Sequence, residues 1–220
     1  LPFGFRPVIV SLFVVLLAVA CTARPPLLDD QLLQDTTILS DDECGAPCWH
    51  GITPGETTWA TALDTLGDLP NVLQVEVSTV RRGAGARFAT FSSEQGAPCC
   101  ELFSDDGQIV DRMLLRYAPT MRLGELIDRY GEPAYIGAAP YTNETAVGTL
   151  IFPEQGMVVA FYLDGLEAGA VSEETIILGT YLSTTASVET VIANSQLYVW
   201  DGYKPYADYA ENPYDLQPNA

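Results

Sequence analysis

Apolar positions along the chain fall into three regimes: an unbroken run, a stretch without period, and a long patterned region. From Val8 to Ala20 every residue except Ser11 is apolar. Such a run is short for a membrane-spanning helix and fits the core of a signal peptide, with Arg6 as its positive flank. From Thr22 to about Asp42 no period is sustained. Pro25-Pro26, Asp29-Asp30, Asp35 and Asp41-Asp42 interrupt Leu27-Leu28 and Leu32-Leu33. This stretch predicts a flexible tether with a reach on the order of 25 Å.

The patterned region opens at Pro54-Gly55, a turn. Glu56-Thr57-Thr58 then supplies a helix start, and Trp59, Ala62, Leu63 and Leu66 mark one helical face that Gly67 ends. Strands are predicted over Leu73–Val80, Ala86–Ser92, Cys99–Ser104 and Gln108–Tyr117. Gly83-Ala-Gly85 links the first two, and Asp105-Asp106-Gly107 is a hairpin signal between the last two. The pattern then restarts. Thr120 is the predicted cap of a helix whose apolar face is Leu123, Leu126, Ile127 and Tyr130, stopped by Gly131-Glu-Pro133. Strands follow over Ala134–Gly137, Ala146–Phe152, Met157–Leu163 and Thr175–Leu182, with Pro153-Glu-Gln-Gly156 as a hairpin turn.

Gly67 aligns with Gly131 at an offset of 64 residues, which sets Trp59 over Leu123, Ala62 over Leu126 and Leu63 over Ile127. The order of elements predicts an internal duplication and an α+β class. Two tandem helix-plus-antiparallel-sheet repeats are expected, with the helices on one sheet face. The layout is then a signal peptide (1–20), Cys21 with a flexible tether (21–43), a first repeat (44–118) and a second (119–184). A short helix and an aromatic tail (185–220) complete it.

Charge narrows the partners. Asp and Glu total 29 against 10 Lys and Arg, for a formal charge of −19. A phosphate backbone needs clustered Lys and Arg, so nucleic acid is excluded as a partner. Electrostatic adhesion to anionic lipid is disfavoured for the same reason. The acidity reads first as solubility and second as a face for a basic partner or Ca²⁺. No acidic pair has the spacing of a Ca²⁺ loop.

The cysteines say where the chain resides. Cys21 follows Leu17-Ala-Val-Ala directly, and four more stand at 44, 48, 99 and 100. An even number in an exported domain predicts two disulfides. Neighbouring strand residues point to opposite faces, which argues against a Cys99–Cys100 bridge. Pro47 argues against Cys44 and Cys48 sharing a helical face. Two bridges from the 44–48 segment to the 99–100 pair are therefore expected, closing a loop of roughly 50 residues worth about 4 kcal/mol. The alternatives are a metal site of these four thiolates with His50, whose spacing matches no zinc motif, and a redox pair, for which Cys-x-x-Cys is lacking.

Near the C-terminus, Val188–Asn194 predicts a short helix capped by Ser187. Tyr198, Trp200, Tyr203, Tyr206, Tyr209 and Tyr214 follow. Large aromatics with polar handles dominate binding hot spots. They either fold back over the sheet or form a ligand surface, for which Trp200, Tyr203, Tyr206 and Tyr198 are the candidates. Asn143-Glu-Thr145 matches a glycosylation acceptor but reads as a loop. Gly83-Ala-Gly85 lacks the downstream helix of a phosphate site.

Leu17-Ala-Val-Ala-Cys21 resembles the lipobox of bacterial lipoproteins. That resemblance implies a diacylglyceryl thioether on Cys21, removal of residues 1–20 and an extracytoplasmic domain held to the membrane by lipid; a plain signal peptide and an uncleaved anchor are the alternatives. Gly51-Ile-Thr-Pro-Gly-Glu-Thr57, before an amphipathic helix ending in Leu66-Gly67, resembles the repeat start of small outer-membrane-assembly lipoproteins. The tandem form resembles the β-lactamase-inhibitor-protein fold. Pro47-Cys-Trp-His-Gly-Ile-Thr-Pro-Gly-Glu-Thr57 is similar to a segment of many uncharacterised bacterial lipoproteins. These resemblances imply a non-enzymatic binding or scaffold role with a protein partner and no cofactor. The alternative expectation is a carbohydrate- or peptide-capturing module built on the tail aromatics. No catalytic constellation and no metal site is indicated, and a hydrolase of buried carboxylates is the remaining reading.

Overall fold

The computed structural model describes residues 24–41, 43–79 and 85–210. The apolar run expected to be a signal peptide, Cys21, Asp42, Val80, Gly83-Ala84 and Tyr214 lie outside the described residues. Within them the chain forms α1 (Thr37–Ser40), α2 (Trp59–Asp68), β1 (Val72–Thr79), β2 (Arg87–Ser93), β3 (Pro98–Ser104) and β4 (Arg112–Arg116). Then come α3 (Leu123–Tyr130), β5 (Tyr135–Pro140), β6 (Ala146–Phe152), β7 (Met157–Leu163) and β8 (Ile177–Ser183). The chain ends its described part with α4 (Thr185–Ala193), β9 (Tyr198–Val199) and α5 (Tyr206–Ala210).

All nine strands belong to one antiparallel sheet, in the order β1-β2-β3-β4-β8-β7-β6-β5-β9. This corrects the expected α+β arrangement of two helix-plus-sheet repeats. Strand takes 37% of the chain and helix 19%, so the class is mainly antiparallel β with short helices. The join is β4 against β8, with Arg112 opposite Ser183 and Arg116 opposite Gly179. Ladder bonds cross the supposed repeat boundary there, and a single core runs beneath. One rung shows it: Ala89, Leu102, Met113, Leu182, Met157 and Phe152 lie side by side across six strands, each at most 1% exposed.

Nor do the helices share one face. Trp59, Ala62 and Leu66 of α2 and Leu123 and Leu126 of α3 join the main core. Val188, Val191 and Ile192 of α4 pack on Ile151, Tyr135 and Val158. Tyr135, Ile151 and Val158 share a rung offset by one residue from the core rung, so they point through the other side of the pleat. Thr58 caps α2 as predicted, accepting from Thr61 N–H at 3.2 Å. The cap of α4 is Thr184 rather than Ser187, whose own N–H it accepts. Thr120 caps nothing. Arg122 occupies that position, and its N–H donates to Glu125 at 2.9 Å.

Residues 24–41 are no free tether. Leu32, Leu33 and Ile38 are at most 2% exposed, and Leu33 bridges Tyr117 in parallel, its N–H donating to Arg116 and its carbonyl accepting from Ala118. Tyr130 of α3 donates its hydroxyl to the Ile38 carbonyl at 2.6 Å. The acidic residues hid a segment whose apolar side chains complete the core under α3.

Candidate functional site

The stretch from Cys44 to Thr58 fixes the entry segment to the sheet. Trp49 and Ile52 exchange backbone hydrogen bonds at 3.0 and 2.9 Å around His50 and Gly51, whose φ angles are 48° and 79°. Positive φ at both central residues is the type I′ turn, which suits glycine at Gly51. The turn buries Trp49 against Phe91, ring centroids 5.9 Å apart, and sets the His50 ring edge-on to Trp49 at 4.7 Å. Further on, Gly55 donates to Val110, Val110 to Thr57 and Trp59 to Gln108, zipping the stretch onto the chain before β4.

His50 meets Asp35. The imidazole Nε2 lies 2.6 Å from Asp35 Oδ2, which also accepts from Asn71 Nδ2 at 3.0 Å. The other carboxylate oxygen accepts from the Thr37 N–H at 2.8 Å and the Thr37 hydroxyl at 2.6 Å. Burial alone would push the Asp35 carboxyl up. The hydrogen bonds from His50, Thr37 and Asn71 outweigh burial and hold it at about 2. This carboxylate has its acceptor positions occupied by fixed donors, so it clamps the entry segment rather than waiting for a proton.

The four core cysteines pair locally, which corrects the expected long-range bridges. Cys44 bonds Cys48 with a Cα separation of 5.1 Å, and Cys99 bonds Cys100. The 44–48 segment is a turn, Cys48 N–H donating to Gly45, so the helical-face argument did not apply. At β3 the register with β2 slips: Phe91 faces Cys100, but Ser92 faces Pro98. Cys99 is the extra residue of a bulge, which breaks the alternation of faces. Both cysteines are buried, at 3% and 2% exposure. These four sulfurs are bonded to one another in pairs rather than gathered with His50, and no group of three His, Cys, Asp or Glu side chains among the described residues is placed to hold a metal.

The tail aromatics are largely committed to packing. Trp200, Tyr206 and Tyr209 are at most 8% exposed and belong to the main core. Trp200 stacks on Tyr209 at 6.0 Å and meets Tyr203 edge-on at 5.6 Å. Burial lifts the Tyr206 and Tyr209 hydroxyls to about 12. Tyr203 is 37% exposed, and Tyr198 half-buried. Tyr198 and Tyr206 line a depression of about 370 Å³ with Ala138, Leu166, Glu167 and Gln196.

A larger surface lies on the outer sheet face from β1 to β8, beyond α4. One rung carries Ser78, Phe88, Phe103 and Arg112, and the next Glu76, Thr90, Glu101, Leu114 and Tyr181. Phe88, Phe103, Leu114 and Tyr181 are all part-exposed. Phe88 and Phe103 stack at 6.3 Å, and the Arg112 guanidinium sits 4.9 Å over the Phe103 ring. Arg112 Nη1 donates to both carboxylate oxygens of Asp105 at 3.1 Å. Phe88 and Phe91 stand three residues apart in β2, which puts them on opposite faces, and that parity is readable in the sequence.

Comparisons with models of protein families, with characterised proteins and with solved structures found no match. Among the described residues no helix is long and apolar enough to cross a membrane.

Proposed function

We propose that this chain is a non-enzymatic, lipid-anchored extracytoplasmic module that holds a protein partner on the open outer face of its sheet. The observation that carries the reading is the Phe88–Phe103–Arg112 row with Leu114 and Tyr181 beside it, part-exposed on four paired strands. A rigid sheet presenting aromatics and an arginine has the composition of a binding core with polar surroundings. The Asp35–His50 pair does not compete with it as an active site, because the carboxylate oxygens are spent on Thr37, Asn71 and His50. The lipobox resemblance at Cys21 supports the anchor.

The test is affinity capture from solubilised native envelope on the immobilised, oxidised chain. One stoichiometric protein is expected on the wild type and not on Phe103→Glu or Tyr181→Glu variants of unchanged melting temperature. Equal capture by both variants overturns the assignment of this face.

The Tyr198–Tyr206 depression favours a second reading, capture of a carbohydrate or peptide. Its volume falls at the lower end of small-ligand sites, and its lining mixes aromatic, amide and carboxylate groups. Retention of the protein on immobilised glycan, lost in Tyr198→Ala, would establish it in place of the first.

A further inference from the structure

The docking of residues 24–41 changes what an anchor does to this protein. The chain is already fixed to the body at its first described residue. Arg24 donates from Nη1 to the Tyr141 carbonyl, and its guanidinium lies 5.4 Å over the Tyr141 ring. Tyr141 in turn donates its hydroxyl to the Pro25 carbonyl at 2.6 Å. Tyr141 opens the loop between β5, which ends at Pro140, and β6, which starts at Ala146. From Arg24 back to Cys21 there remain three residues, which span about 10 Å at full extension. Ala20, the last residue of the apolar run, is one residue further.

We infer that the anchored protein stands flush on the bilayer, with the β5–β6 loop facing the lipid headgroups. The inference rests on the membrane-anchored reading above. It holds for a lipid on Cys21 and for an uncleaved apolar run, because both leave the bilayer within a few residues of Arg24. The loop's contacts suit the place. Arg24 offers a guanidinium to phosphate, and Tyr141 is an amphipathic ring of the kind enriched at membrane interfaces. Thr142, Asn143 and Glu144 are exposed beside them. The loop after β7 lies at the same end of the strands and carries exposed Asp164 and Glu167. These carboxylates oppose anionic lipid, so the contact is made with zwitterionic headgroups and is held by the anchor rather than by charge. The β6–β7 turn at Pro153–Gly156 lies at the opposite end, roughly 20 Å away along seven-residue strands.

A photo-crosslinking residue placed at Asn143 or at Glu154 in the full chain, reconstituted from membranes into phosphatidylcholine vesicles, tests this. Adducts to lipid are expected at least fivefold more abundant from position 143 than from 154. They should fall to the level of position 154 when a twenty-residue Gly/Ser spacer is inserted between Ala23 and Arg24. Equal yields from both positions in the unmodified chain, or a position 143 yield that the spacer leaves unchanged, overturn the orientation while the anchor stands. Recovery of the full chain in the soluble fraction overturns the anchored reading, and the orientation with it.

Discussion

His50 Nε2 and Asp35 Oδ2 lie 2.6 Å apart, and they belong to the two segments that enter the fold before its first strand. Asp35 is 5% exposed, and removing it leaves four donors on the part-buried residues Thr37, His50 and Asn71 without their acceptor. Asp35→Ala is expected to cost about 3 kcal/mol, read as a lower urea midpoint. The pH dependence follows from the same bonds. The folded carboxyl titrates at about 2, below its ordinary value, so its contribution is complete above about pH 4 and is lost as pH falls toward 2. The part lost is about 2 kcal/mol. Urea titrations between pH 5 and 2 should show this fall in the wild type and a shallower one in Asp35→Ala.

Leu33 separates a docked segment from a tether. It is fully buried and bridges Tyr117, whose hydroxyl bonds Thr180 at 2.9 Å in the middle of the sheet. Leu33→Ala should destabilise by about 3 kcal/mol and lower the melting temperature by several degrees. An unchanged melting temperature would mean that the entry segment is not part of the core.

Gly148 tests the packing across β6 and β7. A Cβ on it would stand 2.1 Å from the Phe161 ring, and the two residues are direct partners in the ladder. Gly148→Ala is expected to cost at least about 2 kcal/mol. The double variant with Phe161→Leu should recover part of that loss, giving a coupling of about 1 kcal/mol in a thermodynamic cycle. Additive losses would place the ring elsewhere.

Alternation alone located most strands to within a few residues, because residues such as Val159 and Phe161 face the main core while Val158 and Ala160 point through the other side of the pleat. What it could not give was assembly. The β4–β8 pairing joins residues about seventy positions apart and leaves no mark in either local pattern. Leu32, Leu33 and Ile38 share no period, since they are buried by an irregular segment, and the aspartates between them suggested solvent. Asp35 looked like one more acidic residue; nothing local told it from Asp29 or Asp30. The outer-face site was half legible: the parity of Phe88 and Phe103 was there, but that no helix among the described residues covers them depended on where α4 packs.

Short bridges make a separate, quantitative claim. A Cys44–Cys48 crosslink closes about five residues, worth about 2 kcal/mol in the chain-entropy model, against about 4 kcal/mol for a loop of roughly fifty. The double variant Cys44→Ala/Cys48→Ala should therefore lose about 2 kcal/mol and still fold, since Cys99 and Cys100 keep their own bond. Peptide mapping checks the connectivity directly. Trypsin cuts after Arg81, Arg82 and Arg87, all of which lie between the two pairs. Without reductant, the peptide holding Cys44 and Cys48 should separate from that holding Cys99 and Cys100, each two mass units lighter than its reduced form. A single disulfide-linked species containing both peptides would show that the bridges run between the segments, and that the bulge at Cys99 does not bring its neighbour within bonding reach.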